Sequence, residues 1–140
     1  MRLWHEELIP FLPRQQLLGQ HRECCALRGK GWGKRHSVVN YVFKQKPEKL
    51  VAYHFLVMVE MEKRGYIVND KWKIPAYRGK NLGISKNWAD TNLVYDILFK
   101  RSKNEELIYS EHNLFYLLDC LENLQDKGVN IMRILKGERV

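Results

Sequence analysis

The sequence has few cysteines and no regular pairing among them. Its 140 residues include three cysteines, at Cys24, Cys25 and Cys120, which is an odd count without CxxC spacing. Such a pattern argues against a disulfide framework. The five histidines do not complete the short, regular ligand pairs of structural zinc sites either. We therefore predict no metal site and expect reduced cysteines that pack as small apolar side chains.

Long apolar runs are also missing, and acidic residues are scarce relative to basic ones. No segment approaches the length of a transmembrane span, and the start MRLWHEELIP is too acidic and interrupted for a signal peptide. We therefore expect a soluble, cytoplasmic protein without a membrane partner. Lys and Arg number 24 against 16 Asp and Glu, a formal net charge of +8, which favours a polyanionic partner, nucleic acid first.

The pattern of apolar residues is helical along most of the chain. With 45% hydrophobic residues, we expect one compact domain over residues 1–140, acting as a monomer. Four helices are predicted, reading RQQLLGQHRECCALR after Pro13, PEKLVAYHFLVMVEMEKRG from Pro47, NWADTNLVYDILFKR capped by Ser85, and EHNLFYLLDCLENLQDKG capped by Ser110. The tail VNIMRILKGERV fits a strand or a helix. The predicted fold class is mainly α, with about four helices joined by long basic loops.

Helical spacing also predicts which side chains form the core. On the second helix these are Leu50, Tyr53, His54, Val57, Met58 and Met61, and on the last they are Leu114, Leu117, Leu118, Leu121 and Leu124. Gly65 and Gly128 stand where C-terminal caps are expected.

Two predicted loops combine cations with aromatic rings. The segment RGKGWGKRH carries Arg28, Lys30, Lys34, Arg35 and His36 around Trp32, and a later one carries Lys71, Lys73, Arg78 and Lys80 beside Trp72 and Tyr77. Cations suit phosphates and exposed rings suit unstacked bases, so both loops are candidate DNA-binding surfaces. For Trp32 the alternative is a ring folded back onto the core.

The first helix carries a catalytic-type motif. Taken alone, Arg22 and Glu23 would indicate a solvated helix face. The whole stretch PRQQLLGQHRECCALR, however, resembles the first helix of the phage endonuclease-V-type pyrimidine-dimer DNA glycosylases, and Arg22 and Glu23 match the catalytic motif of that family. MEKRGYIV at the end of the second helix and RGK at residues 78–80 are similar to later parts of the same family.

This resemblance implies a nucleophile that is not a side chain. In that family the α-amine of the first residue attacks C1′ of the damaged nucleotide and forms a Schiff base, and β-elimination then breaks the strand. An α-amine has an ordinary pKa of about 7.7–8.0, which leaves a useful unprotonated fraction at neutral pH. Because Arg2 is too large for the usual removal of methionine, we expect Met1 to be retained as the nucleophile.

The resemblance also assigns roles to neighbouring side chains. Glu23 would stabilise positive charge on the sugar, and Arg22 would bind the phosphates of the flipped nucleotide. Arg2 would lie beside the lesion and Arg28 would be a further DNA-binding arginine, while His21 replaces an aromatic residue and joins the DNA-binding set. The N-terminal arm would have to pass between helices to deliver the amine.

The predicted partner is damaged double-stranded DNA, bound with one nucleotide flipped out of the stack. This chemistry requires no cofactor. The alternative is a basic nucleic-acid-binding module without catalysis. A zinc nucleobase deaminase is excluded, because the sequence lacks the paired cysteines that follow a proline in that class.

Overall fold

The computed structural model describes residues 2–139, which are 55% helical and contain no β-strand beyond an isolated bridge between Tyr77 and Ile84. Its six α-helices are α1 (Arg14–Arg28), α2 (Asn40–Phe43), α3 (Pro47–Lys63), α4 (Thr91–Ser102), α5 (Leu114–Asp126) and α6 (Ile131–Leu135). Two 3-10 helices span Glu6–Phe11 and Asp70–Lys73. The predicted mainly α fold is confirmed. No helix between residues 2 and 139 is long and apolar enough to cross a membrane.

The centre of the fold is the pair α1 and α3, and both helices lie where the sequence predicted them. Residues of α1 are buried at helical spacing, at Leu17, Gln20, Cys24 and Leu27. All six core positions predicted on α3 are buried as well. Gly65 follows α3 with a φ of +90°, a conformation that glycine adopts without steric cost, so this helix ends as predicted.

The caps of the later helices differ from the prediction. Asp90, not Ser85, caps α4, because its side chain accepts the backbone N–H of Asn92. Asn113, not Ser110, caps α5 by accepting the N–H of Tyr116. In both cases an Asp or Asn nearer to the first apolar turn takes the capping position.

The apolar face of α5 is also rotated from the predicted one. Leu114 and Leu118 are 66% and 55% exposed, so their predicted place in the core is wrong. Cys120, Leu121 and Leu124 are the buried residues of α5. The tail, which fitted a strand or a helix, forms α6, and the 3-10 helix at Glu6–Phe11 was not predicted.

An N-terminal arm, residues 2–5, passes between α1, α3 and α5. Leu3, Trp4 and His5 are buried in it. The arm is hydrogen-bonded on both sides, since Tyr53 of α3 donates to the carbonyl of Trp4 (2.6 Å) and Tyr116 of α5 donates to that of Leu3. The path expected for the arm is therefore observed.

Candidate active site

A surface pocket of about 270 Å³ lies where the arm meets α1 and α5. Its walls come from four parts of the chain: Arg2 and Trp4 of the arm, Glu23 of α1, His36 and Val38 of the following loop, and Asn123 and Lys127 at the end of α5. Glu23 is the single carboxylate among these residues. The pocket therefore combines one acidic group with several groups that donate hydrogen bonds.

Gln20 fixes the arm against Glu23. Its Nε2 donates to the carbonyl oxygen of Arg2 (3.0 Å) and to Oε2 of Glu23 (3.1 Å). Its Oε1 accepts the backbone N–H of Trp4 (2.7 Å) and lies 2.7 Å from the hydroxyl of Tyr53. One amide thus connects the N-terminal arm to the carboxylate of Glu23. Gln20 is itself buried, so these hydrogen bonds are shielded from solvent.

The carboxyl group of Glu23 is partly withdrawn from solvent. Burial raises the pKa of Glu23 above its ordinary value. The hydrogen bonds from the backbone of Arg2 and from Gln20 oppose this rise, as does the charge of Arg22. Glu23 is therefore held as an oriented carboxylate whose charge is only partly compensated, which suits the stabilisation of a nearby cation.

The two arginines beside Glu23 differ in their surroundings. Nη1 of Arg2 lies 2.9 Å from Oδ2 of Asp119, so its charge already has a partner within the protein. Arg22 is exposed, and its guanidinium makes no hydrogen bond with any residue in the range 2–139. Its side chain lies along Gly19, where a Cβ would come within 3.7 Å of Nη2. Arg22 is therefore a cation available to an anionic ligand.

The predicted basic loops lie side by side. The exposed residues of the DNA-binding set in these loops are Lys30, Lys34, Arg35, His36 and Lys80. A Cβ at Gly29 would lie 3.1 Å from the carbonyl oxygen of Arg78, which shows how closely the two backbones approach. Arg78 reinforces this contact, because its Nε donates to the carbonyl of Arg28 (2.8 Å). The loops thus present one basic surface, which His36 connects to the pocket.

Three residues predicted to contact DNA make contacts inside the protein. Arg28 is fully buried, so it is not part of this basic surface. Trp32 is half-buried and packs edge-on against Phe43 and Trp88, with ring centroids 5.2 and 5.5 Å apart. The structure therefore favours the alternative in which Trp32 folds back onto the core. Arg78 is also largely occupied, since it stacks over the ring of Trp88 at 4.6 Å.

Behind α1 lies a cluster that the sequence did not reveal. The ligand atoms of His21, Cys25 and His54 lie within 4.8 Å of one another. His21 and Cys25 are four residues apart on α1, and this spacing places them on one face of the helix. That spacing is the one feature of the sequence from which part of the cluster could have been predicted. His54 had been assigned to the core, and it is buried there as well.

These three side chains have the donor types that bind zinc, but Arg28 opposes a cation. Nη1 of Arg28 donates to Nδ1 of His54 (3.0 Å), so the neutral ring carries its proton on Nε2 and donates to Nδ1 of His21 (2.8 Å). A bound metal would displace that proton and would lie close to a buried guanidinium. Burial also raises the pKa of Cys25 to about 11, which disfavours the thiolate. The geometry thus describes a hydrogen-bonded chain, and we assign no metal to it.

Other residues at the pocket were not predicted from the sequence. For Gln20, the sequence shows only a polar residue on the buried face of α1. Asn123 and Lys127 lie about a hundred residues further along the chain than Glu23, and only the packing of α5 against the arm brings them to the pocket. The predicted nucleophile, Met1, lies outside the described residues.

Comparison with protein families gives a match over residues 1–74 to the model described as pyrimidine dimer DNA glycosylase. The matched range includes the arm, α1, the first basic loop and α3, and thus Arg2, Gln20, Arg22 and Glu23. Comparisons with curated proteins and with solved structures find no match. Since the family model covers more than half of the 140 residues, the chain belongs to the pyrimidine dimer DNA glycosylase family.

Proposed function

We propose that the protein is a DNA-repair glycosylase with AP-lyase activity, which excises a damaged base through a Schiff base and then cleaves the strand. The observation that carries the proposal is the double hydrogen bond of Gln20, which joins the backbone of Arg2 to the carboxylate of Glu23 in one pocket. An amine delivered by the arm and an oriented carboxylate are the two groups that this reaction needs.

In the proposed first step, the unprotonated α-amine of Met1 attacks C1′ of the damaged nucleotide, and the bond from C1′ to the base breaks. The base leaves with the electron pair of that bond, and positive charge develops on the sugar. Glu23 lies in the same pocket as the arm, where its carboxylate would stabilise this charge. Loss of a proton from the amine nitrogen and opening of the sugar ring then give the imine.

In the second step, the iminium acidifies C2′. A base removes the C2′ proton, the electron pair forms a C2′–C3′ double bond, and the bond from C3′ to the phosphate oxygen breaks. The strand is thereby cut on the 3′ side of the lesion, and hydrolysis of the imine releases the amine. Arg22 would bind the adjacent phosphates, and its exposure without a hydrogen-bond partner among the described residues supports this role.

Access to C1′ requires the nucleotide to leave the stack, because no protein group can reach that atom within an intact duplex. The basic surface around Lys30, Lys34 and Arg35 would hold the backbone of damaged double-stranded DNA. No cofactor takes part in these steps. Action as a monomer and a cytoplasmic, nucleoid-associated location stay predictions.

Borohydride trapping tests the proposal. The protein is mixed with a duplex that carries an abasic site or a thymine dimer, and borohydride reduces any imine to a stable covalent adduct. Mass spectrometry of the intact protein first identifies the residue that bears the free α-amine. We expect an adduct with the wild-type protein, its loss when the α-amine is blocked, and a large loss of strand cleavage in Glu23→Gln.

The matched control is Glu106→Gln, which changes the charge equally at an exposed position away from the pocket. It should cut as the wild type does. Wild-type protein that binds either duplex but forms no adduct would reject the lyase and favour the non-catalytic binding module. Undiminished cleavage by the amine-blocked protein would reject the proposed nucleophile.

A further inference from the structure

The end of α5 brings a cation into the wall of the pocket, from a part of the chain beyond the family match. Lys127 lines the pocket together with Glu23, although it lies outside residues 1–74. Its backbone position is fixed, because its N–H donates to the carbonyl of Asn123 (3.2 Å) and to that of the buried Leu124 (3.1 Å). Lys127 is therefore presented to the pocket from the end of a packed helix.

The charge of Lys127 has no partner inside the protein. Its ammonium group forms no ion pair with any residue in the range 2–139. The positions three and four residues earlier on α5 hold Leu124 and Asn123, so the helix itself supplies no carboxylate. Lys100 of α4 shows the contrast, since Asp96 lies four residues before it and pairs with it at 3.3 Å. Lys127 is exposed, so its ammonium group is available to an anion in the pocket.

The pocket contains opposite charges that do not neutralise each other. Glu23 of α1 and Lys127 of α5 line the same pocket of about 270 Å³, yet they form no ion pair. Arg2, the arginine of the pocket lining, is already paired with Asp119 (2.9 Å). The volume lies just below the usual range of small-molecule sites, about 300–1,000 Å³, and therefore suits one sugar with its phosphate.

A nucleotide in the second step of the proposed reaction has the complementary charges. Its sugar carries the iminium, which suits the carboxylate of Glu23, and a phosphate lies on each side of that sugar. Only the 3′ phosphate changes its charge in this step. As the C2′ proton is removed and the C2′–C3′ double bond forms, the C3′–O bond breaks and its electron pair stays on the phosphate oxygen. The leaving phosphate thereby gains one negative charge, and a cation beside it lowers the barrier.

We propose that Lys127 contacts the 3′ phosphate and stabilises the charge that develops on it during β-elimination. This inference rests on the proposed function, because it assumes that the sugar attacked by the α-amine lies beside Glu23. It requires no particular base in the pocket. Lys127 is then a catalytic residue of the second step and contributes little to the first. Arg22, which is not part of the pocket lining, would hold phosphate in both steps.

Borohydride trapping on an abasic duplex separates the two steps, because the protein stays on C1′ while the 3′ part of the strand leaves in β-elimination. With a strand labelled at its 5′ end, the adduct reports every imine. With a label at the 3′ end, it reports only the imine of a strand that is still uncut. In single turnover, Lys127→Gln should form total adduct at the wild-type rate and accumulate uncut adduct. It should cut the strand roughly tenfold to a hundredfold more slowly, the usual worth of a hydrogen bond to a charged group.

Lys46→Gln is the matched control. Lys46 is also exposed and forms no ion pair with residues 2–139, but it lines a different pocket. The control should leave both steps unchanged. Lys127→Arg should recover much of the cleavage rate, because it restores the cation. Thermal melting verifies that each variant is folded.

A neutral methylphosphonate in place of one phosphate locates the contact. On the 3′ side of the abasic site, it should reduce the difference in cleavage rate between the wild type and Lys127→Gln. On the 5′ side, the difference should persist.

Equal losses of total adduct and of cleavage in Lys127→Gln, or no loss of either, would overturn the inference. So would a difference in cleavage rate that the 5′ methylphosphonate removes and the 3′ methylphosphonate does not. Failure of the proposed function looks different, because the wild-type protein would then form no adduct with either label.

Discussion

Arg22 and Arg28 lie six residues apart on α1, yet they belong to opposite kinds of environment. Arg28 is fully buried, and its Nη atoms donate to the carbonyls of Trp72 (2.8 Å), Ile74 (2.8 Å) and Tyr77 (3.0 Å) as well as to His54. Arg22 is exposed and makes no hydrogen bond within residues 2–139. Arg28 therefore stabilises the fold, whereas the guanidinium of Arg22 is available to bind a ligand.

The same contrast separates the two polar clusters that flank α1. Behind the helix, the chain of Arg28, His54 and His21 supplies its own donors and acceptors. On the pocket side, Arg22 and Asn123 have no partners among the described residues, and Glu23 is only partly compensated. Residue type therefore does not identify a functional site in this fold. What distinguishes the pocket side is that an unpaired group such as Arg22 is exposed to a ligand, whereas Nε of Arg28, which also has no hydrogen-bond partner among the described residues, is buried.

The largest expected effect is on stability, at Arg28. Arg28→Met would leave several buried carbonyls of residues 72–77 without their donor, and breaking a buried polar network of this kind costs about 3–5 kcal/mol. Burial already lowers the pKa of Arg28 to about 10, which shows how far its charge is withdrawn from water. Urea unfolding of the variant measures the loss.

Arg22→Met is the matched control on the same helix. It should change the free energy of unfolding by no more than about 0.5 kcal/mol, as is usual for exposed positions without partners. A similar loss of unfolding free energy in both variants would contradict the conclusion that Arg28, but not Arg22, stabilises the fold.

This contrast marks the limit of what the sequence could predict. Helical periodicity located α1 and α3 and their buried faces, because period and burial are local properties of the pattern. It could not separate Arg22 from Arg28, since the carbonyls that receive Arg28 come from residues 72–77, far along the chain. Asn123 was missed for the same reason. The Arg22–Glu23 pair was found through its resemblance to a family, and not through spacing.

The second expected effect is acid sensitivity that arises in the buried cluster. Burial holds the pKa of His54 well below its ordinary value, and the charges of Arg28 and His21 lower it further. Below the ordinary histidine pKa of about 6.5, the unfolded chain therefore binds a proton that the folded protein does not. Stability should fall as pH drops below that value. Urea unfolding between pH 7 and pH 5 measures the slope.

His54→Gln should reduce this slope, because glutamine can accept from Arg28 and donate to His21 without titrating in this range. His112, whose pKa burial lowers to about 3, would account for much of the slope that remains, and His5 and His21, whose pKa values burial also lowers, would add to it. An unchanged slope in His54→Gln would show that His54 is not the source.

The third effect is on catalysis and should be confined to the pocket side. If Arg22 binds phosphate, Arg22→Met should lower kcat/KM for cleavage of an abasic duplex by roughly tenfold to a hundredfold, the usual worth of a hydrogen bond to a charged group. Arg22→Lys should recover part of the loss, because it restores the charge but not the paired donors. Unaltered cleavage by Arg22→Met would exclude Arg22 from the phosphate contact.

The smallest effect is expected at the rim of the basic surface. Lys34 and Arg35 are exposed, and each would release about one counterion on binding a phosphate. Lys34→Gln and Arg35→Gln should therefore weaken binding of damaged and undamaged duplexes alike and lower the slope of log affinity against log salt by about one unit each. Lys63→Gln is the control. The residue after Lys63, Arg64, donates to the carbonyl of Leu12 (2.7 Å), just before the start of α1. Lys63 therefore lies near the end of α1 that is opposite to the basic loops. If Lys63→Gln lowered the slope of log affinity against log salt equally, DNA binding would depend on the overall charge of the protein and not on this basic surface.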